Sequence, residues 1–248
     1  MGCTIVGEPK HFEEDGSPVV SASIEIDGNG YEVRYRVSEG PLDAGADTFL
    51  AATLVPAMRV GDPLRIEGAV SSRLLENIPK VQEILHGWDR RLQKVSVEVE
   101  SATEQIAPQG VGSFFSGGVD SFYTLLKHYD EITKIIFVHG FDIRLDDRQL
   151  RARVSKAIRE VAAELEKPLI EVETDLRGFA DDFVEWGAHY LGAALASVAL
   201  LLSPQSRKVF IAASHSYSHL HPWGSHPLLD SLWSTERTEI VHDGCEAT

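Results

Sequence analysis

The stretch from Phe114 to Ser121 has the sequence FFSGGVDS and joins an apolar segment to the start of a helical pattern. Two adjacent glycines, Gly117 and Gly118, allow the backbone to turn tightly and to approach a ligand without interference from a Cβ atom. The free N–H groups at the start of the helix, together with its dipole, favour an anion at that end. The stretch therefore predicts an anion-binding loop between a strand and a helix.

The polar residues of this loop indicate how it would hold phosphate. The hydroxyls of Ser116 and Ser121 can donate to phosphate oxygens, whereas the carboxylate of Asp120 would be repelled unless a divalent cation lay between them. We therefore expect a magnesium-linked role for Asp120. The chain contains neither Gly-Lys-Ser/Thr nor a Gly-x-Gly-x-x-Gly after a strand, which weakens kinase, GTPase and dinucleotide interpretations. The alternative is a plain turn in which Asp120 or Ser116 only caps the helix.

Strand and helix patterns alternate from this loop onward. Apolar segments predict strands at 135–138, 169–172, 209–212 and 238–242, and amphipathic or apolar segments predict helices at 120–129, 154–165 and 179–202. Continuous apolar strands that alternate with helices indicate a parallel sheet covered on both faces. Ligands in such sheets bind beyond the carboxyl ends of the strands, which is where the loop lies.

The first hundred residues follow a different pattern. Residues 17–39 alternate apolar and polar positions around a turn at 27–30, which predicts a β-hairpin. An extended segment at 64–67, a helix at 74–88 and a strand at 95–99 come next. These patterns predict a small α+β domain over 1–105, separated from the second domain, over 110–248, by a linker near 102–110.

The sequence FFSGGVDS resembles the PP-loop motif, SGGxDS, of the N-type ATP pyrophosphatases, a superfamily that includes amide-forming and tRNA-thiolating enzymes. The motif matches at every fixed position. The order of strands and helices after residue 110 also resembles that superfamily's domain. The resemblance implies an α/β fold in which a parallel-sheet, HUP/Rossmann-like nucleotide-binding domain follows the small α+β domain.

The resemblance also implies an activity, its cofactors and its residues. ATP would be cleaved between the α and β phosphates by a substrate oxygen, and ammonia or a sulfur donor would then displace AMP. By the same resemblance, ATP, Mg²⁺ and pyrophosphate would be bound by Ser116, Gly117, Gly118, Val119, Asp120 and Ser121, with the metal linked to Asp120. His139, Gly140 and Asp142 follow the second strand, where the superfamily binds adenine and ribose. The catalytic candidates are Asp120, Ser116 and His215.

A histidine-rich segment from Ser214 to Asp230 follows the fourth predicted strand. Three interpretations stay open for it: a substrate loop, a transition-metal site, or a solvated surface loop. Its substrate-contacting candidates are His219, His221, Ser225, His226 and Asp230. The Gly-Ser-x-Pro-x-x-Asp portion is similar in form to the substrate loop of 7-cyano-7-deazaguanine synthases. Those enzymes carry a four-cysteine zinc site near the carboxyl end, where this chain has only Cys245.

Composition limits the class of partner. The formal net charge of −15 opposes a polyanion, which argues against a nucleic-acid substrate and favours a small molecule. The apolar run 193–202 is about half of what a membrane span requires, and the amino terminus lacks a signal-like core. Two cysteines cannot build a disulfide framework. We therefore expect a cytoplasmic protein that does not enter membranes.

The sequence ends soon after the predicted strand at 238–242, although such domains ordinarily close with one more helix. We expect an uncovered apolar sheet face there, because the chain is truncated or because a partner covers it. That partner would be a second copy in a homo-oligomer or a separate donor subunit, since no glutaminase signature is visible. Two other functions remain open: a regulator that binds adenine nucleotide without turnover, and a tRNA-modifying enzyme.

Overall fold

The computed structural model describes residues 2–102 and 109–247. Its strands are β1 (Thr4–Val6), β2 (Lys10–Glu14), β3 (Ser17–Ile26), β4 (Asn29–Val37), β5 (Leu64–Val70), β6 (Val97–Ala102), β7 (Val111–Phe114), β8 (Lys134–His139), β9 (Leu169–Thr174), β10 (Lys208–Ala212) and β11 (Glu239–Asp243). Its α-helices are α1 (Ala46–Val60), α2 (Ser72–Trp88), α3 (Val119–Lys127), α4 (Arg148–Glu164), α5 (Leu176–Ala180) and α6 (Leu191–Leu201).

All these strands belong to one sheet, in the order β11-β10-β7-β8-β9-β4-β3-β1-β5-β6, with β2 paired to β3. The five strands from β11 to β9 run parallel to one another. The next pairings, from β9 through β4 and β3 to β1, are antiparallel. The protein therefore has a mixed α/β fold with a large, mostly parallel central sheet, as the alternation of strands and helices predicts.

Apolar side chains form a core on each side of the sheet. One core includes α1, α2 and α6, and the other includes Leu125 of α3 and Ile158 of α4. Helix α1 is buried from Ala46 to Met58 at nearly every position. It lies against α6, so the two helices form a layer over the sheet face.

The sheet and one core run across the boundary between the two predicted domains. Strand β4, from the amino-terminal half, pairs with β9 of the carboxyl-terminal half, with Tyr35 opposite Thr174. The Tyr35 hydroxyl also donates to the Ser197 hydroxyl of α6 at 3.0 Å, and both residues are buried. Part of the predicted linker, 103–108, lies outside the described residues. The division into two domains stays a prediction.

The single helix predicted over 179–202 is wrong. Helix α5 ends at Ala180, a π-helical turn follows at Trp186–Tyr190, and only then does α6 begin. The reason is tertiary packing, because a Cβ atom on Gly187 would lie 2.4 Å from the Trp223 ring. The Tyr190 hydroxyl also donates to a carbonyl oxygen of α1. Such contacts between distant segments leave no periodic signal in the sequence.

The apolar face expected to be uncovered at the last strand is not found in the part of the chain that the structure describes. On β11, Ile240 is buried and packs beside a 3₁₀ turn at Asp230–Trp233, while Val241 packs in the core on the other face. The exposed large apolar side chains nearby belong to α3 and to the histidine-rich segment, and not to β11. Over residues 2–102 and 109–247, no helix combines the length and apolarity that a membrane crossing requires.

A buried carboxyl group joins the start of α1 to the start of α2. Asp47 accepts a 2.7 Å hydrogen bond from the backbone N–H of Ser71. The pKa of Asp47 is raised to about 7, chiefly by burial; the charges of Asp43 and Glu236 act in the same direction, and the Ser71 bond and Arg237 act against it. The group therefore binds its proton more tightly in the folded protein than in the unfolded chain.

The Asp47→Asn substitution should remove a pH dependence of stability. Because the pKa is raised on folding, the stabilisation by the protonated carboxyl is complete below about pH 4 and is lost as pH rises through about 7. At pH 4 we expect the variant to have the same free energy of unfolding as the wild type. At pH 8 its free energy of unfolding should be roughly 2–4 kcal/mol higher. Urea unfolding at both values measures this, with Asp130→Asn, at an exposed carboxyl, as the control. The same difference in unfolding free energy between variant and wild type at both pH values would contradict the expectation.

Candidate functional site

A cavity of about 380 Å³ opens at the carboxyl ends of β7, β8 and β10. Strand β7 is the point where the chain order of the parallel strands reverses, because β8 lies on one side of it and β10 on the other. The cavity is lined by Phe114, Phe115, Ser116, Gly118, Asp120, Ser121, Ile136, Phe137, Val138, Phe141, Asp142, Ile143, Val154, Leu191, Leu195, Ile211, Ala212 and Ser214. The glycine-rich loop therefore forms a polar end of the cavity, and most of the remaining wall is apolar.

The glycine-rich loop has the backbone shape that an anion site requires. Gly117 has a φ of +79°, in the left-handed region that favours glycine, and a Cβ atom there would lie 3.3 Å from Ile158 of α4. The Ser116 hydroxyl accepts the Gly118 N–H at 3.3 Å, and the Ser121 hydroxyl donates to the Gly118 carbonyl at 2.8 Å. These bonds fix the loop while residues 116–120 stay exposed.

The amino end of α3 is open to a ligand. Gly118 precedes the first helical residue, and no side chain caps the helix. Asp120 lies in the first turn of α3 and is exposed, so it does not cap the helix as the alternative interpretation of the loop requires. A helix start of this kind presents backbone N–H groups and a positive dipole end to an anion.

The charge of the cavity wall is negative. Its only ionisable side chains in the described part of the chain are those of Asp120 and Asp142. Arg177 donates to the Phe141 carbonyl at 2.6 Å and lies 3.8 Å from the Asp142 carboxylate, so its charge is directed at these groups. A phosphate group in this cavity would therefore be held by backbone N–H groups, hydroxyls and a metal ion, and not by lysine or arginine.

Two of the nucleotide-binding candidates after β8 do not line the cavity. His139 is buried and its Nε2 atom lies 3.1 Å from the Ser155 hydroxyl of α4. Burial, together with the charge of Arg151, lowers the pKa of His139. Gly140 has a φ of +96°, and a Cβ atom there would lie 1.8 Å from the Thr174 carbonyl, so sheet packing already accounts for this glycine. Asp142, which follows the same strand, lines the cavity, together with Phe141 and Ile143, which the sequence analysis did not select.

The histidine-rich segment brings three aromatic rings together beside the loop. The ring centroids of His215 and His221 are 4.3 Å apart, and the Trp223 ring lies 5.7 Å from that of His215. Burial and the charge of His221 lower the pKa of His215, whereas the charge of Asp120 raises it. His215 therefore lies within electrostatic range of Asp120, and its neighbour Ser214 lines the cavity.

The remaining candidates of this segment divide into exposed and buried groups. His219 and His221 are exposed, and the Nδ1 atom of His219 bonds to the hydroxyls of Ser216 and Ser218. Ser225, His226 and Asp230, in the last part of the segment, are buried.

The buried candidates bond to one another and to β11, not to the cavity. Asp230 accepts from the Ser225 hydroxyl at 2.7 Å and from His242 of β11 at 2.7 Å. No group of three or more histidine, cysteine, aspartate or glutamate side chains is placed to hold a metal ion, as far as residues 2–102 and 109–247 are concerned.

Close backbone contacts fix the segment against α6. A Cβ atom on Gly192 would lie 2.2 Å from the Gly224 carbonyl oxygen and 2.6 Å from the Asp230 carboxylate. Gly192 directly follows Leu191, whose side chain lines the cavity. The histidine-rich segment therefore packs directly against the helix that supplies part of the apolar wall of the cavity.

Comparison of the chain with family models, with curated proteins and with solved structures finds no match in any of the three. The function is therefore inferred from the chemistry of the cavity and the loop.

Proposed function

We propose that the protein is an adenylating enzyme that converts ATP to AMP and pyrophosphate while it activates a small molecule for nucleophilic displacement. The observation that carries the proposal is the SGGxDS loop, which ends β7 and opens an uncapped α3 at one end of the cavity. Pyrophosphate matches the donors that this loop offers, namely backbone N–H groups and two serine hydroxyls. Sequence similarity to the PP-loop superfamily and the geometry of the cavity support the same activity.

The arrangement of the parallel strands supports nucleotide binding as well. Numbered along the chain from β7, the five parallel strands have the order 3-2-1-4-5. This is the order of HUP/Rossmann-like sheets, in which ligands bind at the carboxyl edge where the strand order reverses. The cavity lies at that point, so we assign the phosphates to the loop and the adenine to the apolar part near Phe141, Leu191 and Leu195.

The residues of the chain would act mainly by position and charge. A substrate oxygen attacks the α phosphorus, the bond to the bridging oxygen breaks, and pyrophosphate leaves with the electron pair. The N–H groups of the first turn of α3 and the Ser116 hydroxyl would stabilise the charge that builds on the leaving group. The Ser121 hydroxyl, which donates to the Gly118 carbonyl, would have to rotate to join them. Asp120 would hold Mg²⁺, which would supply positive charge against the phosphates. His215 feels the charge of Asp120, and we assign to it proton exchange with the substrate.

Turnover of ATP in the presence of Mg²⁺ tests the proposal. ATP labelled on the α phosphorus should yield AMP and an equal amount of pyrophosphate, with the rate increased by some members of a panel of planar carboxylates, amides and nucleobases. Omission of Mg²⁺ should abolish the reaction, because no lysine or arginine in the described residues lines the cavity. Saturable ATP binding without products would instead identify a nucleotide-binding regulator, and release of ADP would exclude adenylation.

A further inference from the structure

Strand β2 leaves one edge of the sheet unpaired. Its five residues, Lys10–Glu14, pair only with β3 within residues 2–102 and 109–247, and the side chains of all five are exposed. Phe12, at the centre of the strand, keeps 41% of its surface exposed. An unpaired strand presents N–H and C=O groups that can pair with another strand. This edge is therefore a surface to which a further strand can be added.

A tight turn holds β2 against β3 and determines which of its backbone groups face outward. The two residues of the turn, 15–16, have φ values of +50° and +74°, as in a type I′ hairpin turn. Glu14 and Ser17 flank this turn and face each other, so they form the first hydrogen-bonded pair of the hairpin. Because such pairs alternate along antiparallel strands, the N–H and C=O groups of His11 and Glu13 point away from β3.

The sequence of β2 is complementary to a second copy of itself. In an antiparallel pair with a two-fold axis at Phe12, Lys10 of each copy lies opposite Glu14 of the other. His11 of each copy likewise lies opposite Glu13. Opposite charges in facing positions stabilise a strand pair, whereas like charges destabilise it. A parallel pair in the same register would place each lysine and each glutamate beside its own kind, so the antiparallel orientation is favoured.

The backbone favours the same register as the charges. The outward groups of His11 in one copy face those of Glu13 in the other, so each of these pairs can exchange two hydrogen bonds. Phe12 then lies on the axis in a non-hydrogen-bonded position, where the Cα atoms of facing residues are about 4.5 Å apart and their side chains are closest. Two exposed Phe12 rings would cover each other there. The charges, the hydrogen-bonding groups and the exposed ring therefore agree on one register.

We propose that β2 is a dimerisation strand, on which a second copy of this chain pairs antiparallel through residues 10–14 and extends the sheet across both protomers. A two-fold arrangement uses the same patch on each copy. Five residues a side bury less than the roughly 800 Å² per partner of a standard interface, so we expect a weak dimer with a Kd of about 10–500 µM. The net charge of −15 on each copy also opposes association until salt screens it. The surface does not include the glycine-rich loop and does not depend on the proposed function.

Sedimentation equilibrium of the whole chain tests the surface, with about 0.15 M salt to screen the net charge. The average mass should rise from monomer towards dimer between about 1 µM and about 1 mM protein. Lys10→Glu places like charges in facing positions, as does Glu14→Lys, and each variant alone should raise the Kd about tenfold or more. An equimolar mixture of the two should dimerise like the wild type, because all facing charges are again opposite. Glu14→Lys also loses an exposed ion pair with Arg34, which contributes little to folding. A wild type that stays monomeric, a dimer that both variants leave unchanged, or a mixture that does not associate would overturn the proposal.

Cysteine cross-linking tests the register independently of the charge variants. In a Cys3→Ser background, Phe12→Cys places two thiols at the axis, where the Cα separation of about 4.5 Å suits a disulfide. Cys245 is buried and is present in every variant. Lys10→Cys is the matched control on the same exposed strand, because residue 10 of each copy lies opposite residue 14 of the other. Under mild oxidation, Phe12→Cys should form a covalent dimer at least about tenfold faster than Lys10→Cys. Equal rates would overturn the proposed pairing.

Discussion

Replacement of Asp120 by alanine should lower pyrophosphate release about 100- to 1,000-fold, because under the proposed function the variant loses the carboxylate that holds Mg²⁺. The side chain is exposed in the first turn of α3 and makes no hydrogen bond to the described residues. The melting temperature should therefore change little. Initial rates of pyrophosphate release over a range of Mg²⁺ concentrations measure the effect, and higher Mg²⁺ should restore part of the rate.

The matched control for this variant is Asp130→Ala, which removes an exposed carboxylate from the turn that follows α3. It changes the net charge by the same amount and lies at the opposite end of that helix from the loop. The control should retain the wild-type rate. Activity of Asp120→Ala within threefold of the control would show that the carboxylate has no part in the reaction.

Replacement of Gly192 by alanine should destabilise the fold by more than about 2 kcal/mol. The new Cβ atom would lie 2.2 Å from the Gly224 carbonyl oxygen and 3.0 Å from the Ser225 Cα, and backbone atoms cannot rotate away as a flexible side chain can. Because this contact also holds the wall residue Leu191 against the histidine-rich segment, ATP affinity should fall as well.

The same substitution at Gly87 of α2 is the control, because nothing lies within 4 Å of a Cβ atom there. Alanine favours a helix over glycine, so Gly87→Ala should be as stable as the wild type or up to about 1 kcal/mol more stable. Urea unfolding of both variants measures the difference. Equal stabilities would mean that the segment does not approach α6 as closely as described.

Local patterns in the sequence predict much of this fold. The hairpin, the loop and the strands that follow are found close to their predicted positions, since apolar runs and turn residues act over a few neighbours. Helix α1 was not predicted, because its almost uniformly buried residues give little amphipathic contrast. The break before α6 depends on Trp223 and on α1, which are far from it in the sequence.

Only the glycine-rich loop of the candidate site can be predicted from the sequence. The glycine-rich loop is contiguous, so its residues can be recognised in the sequence, and in the structure it lines a cavity at the carboxyl ends of the parallel strands. The apolar wall combines Phe141, Leu191 and Leu195, which only the packing of α6 over the sheet brings together. His242 was predicted as part of a strand, and its contact with Asp230 depends on a turn that closes over β11.

A crystal structure with Mg²⁺ and an ATP analogue whose α–β bridge is a methylene group tests the central claim most directly. The β and γ phosphates should lie on the backbone N–H groups and hydroxyls of residues 116–121, with Mg²⁺ between them and Asp120. The adenine should lie against Phe141 and Leu195. Phosphates bound elsewhere, with the start of α3 in contact only with solvent, would contradict the assignment of this loop to pyrophosphate.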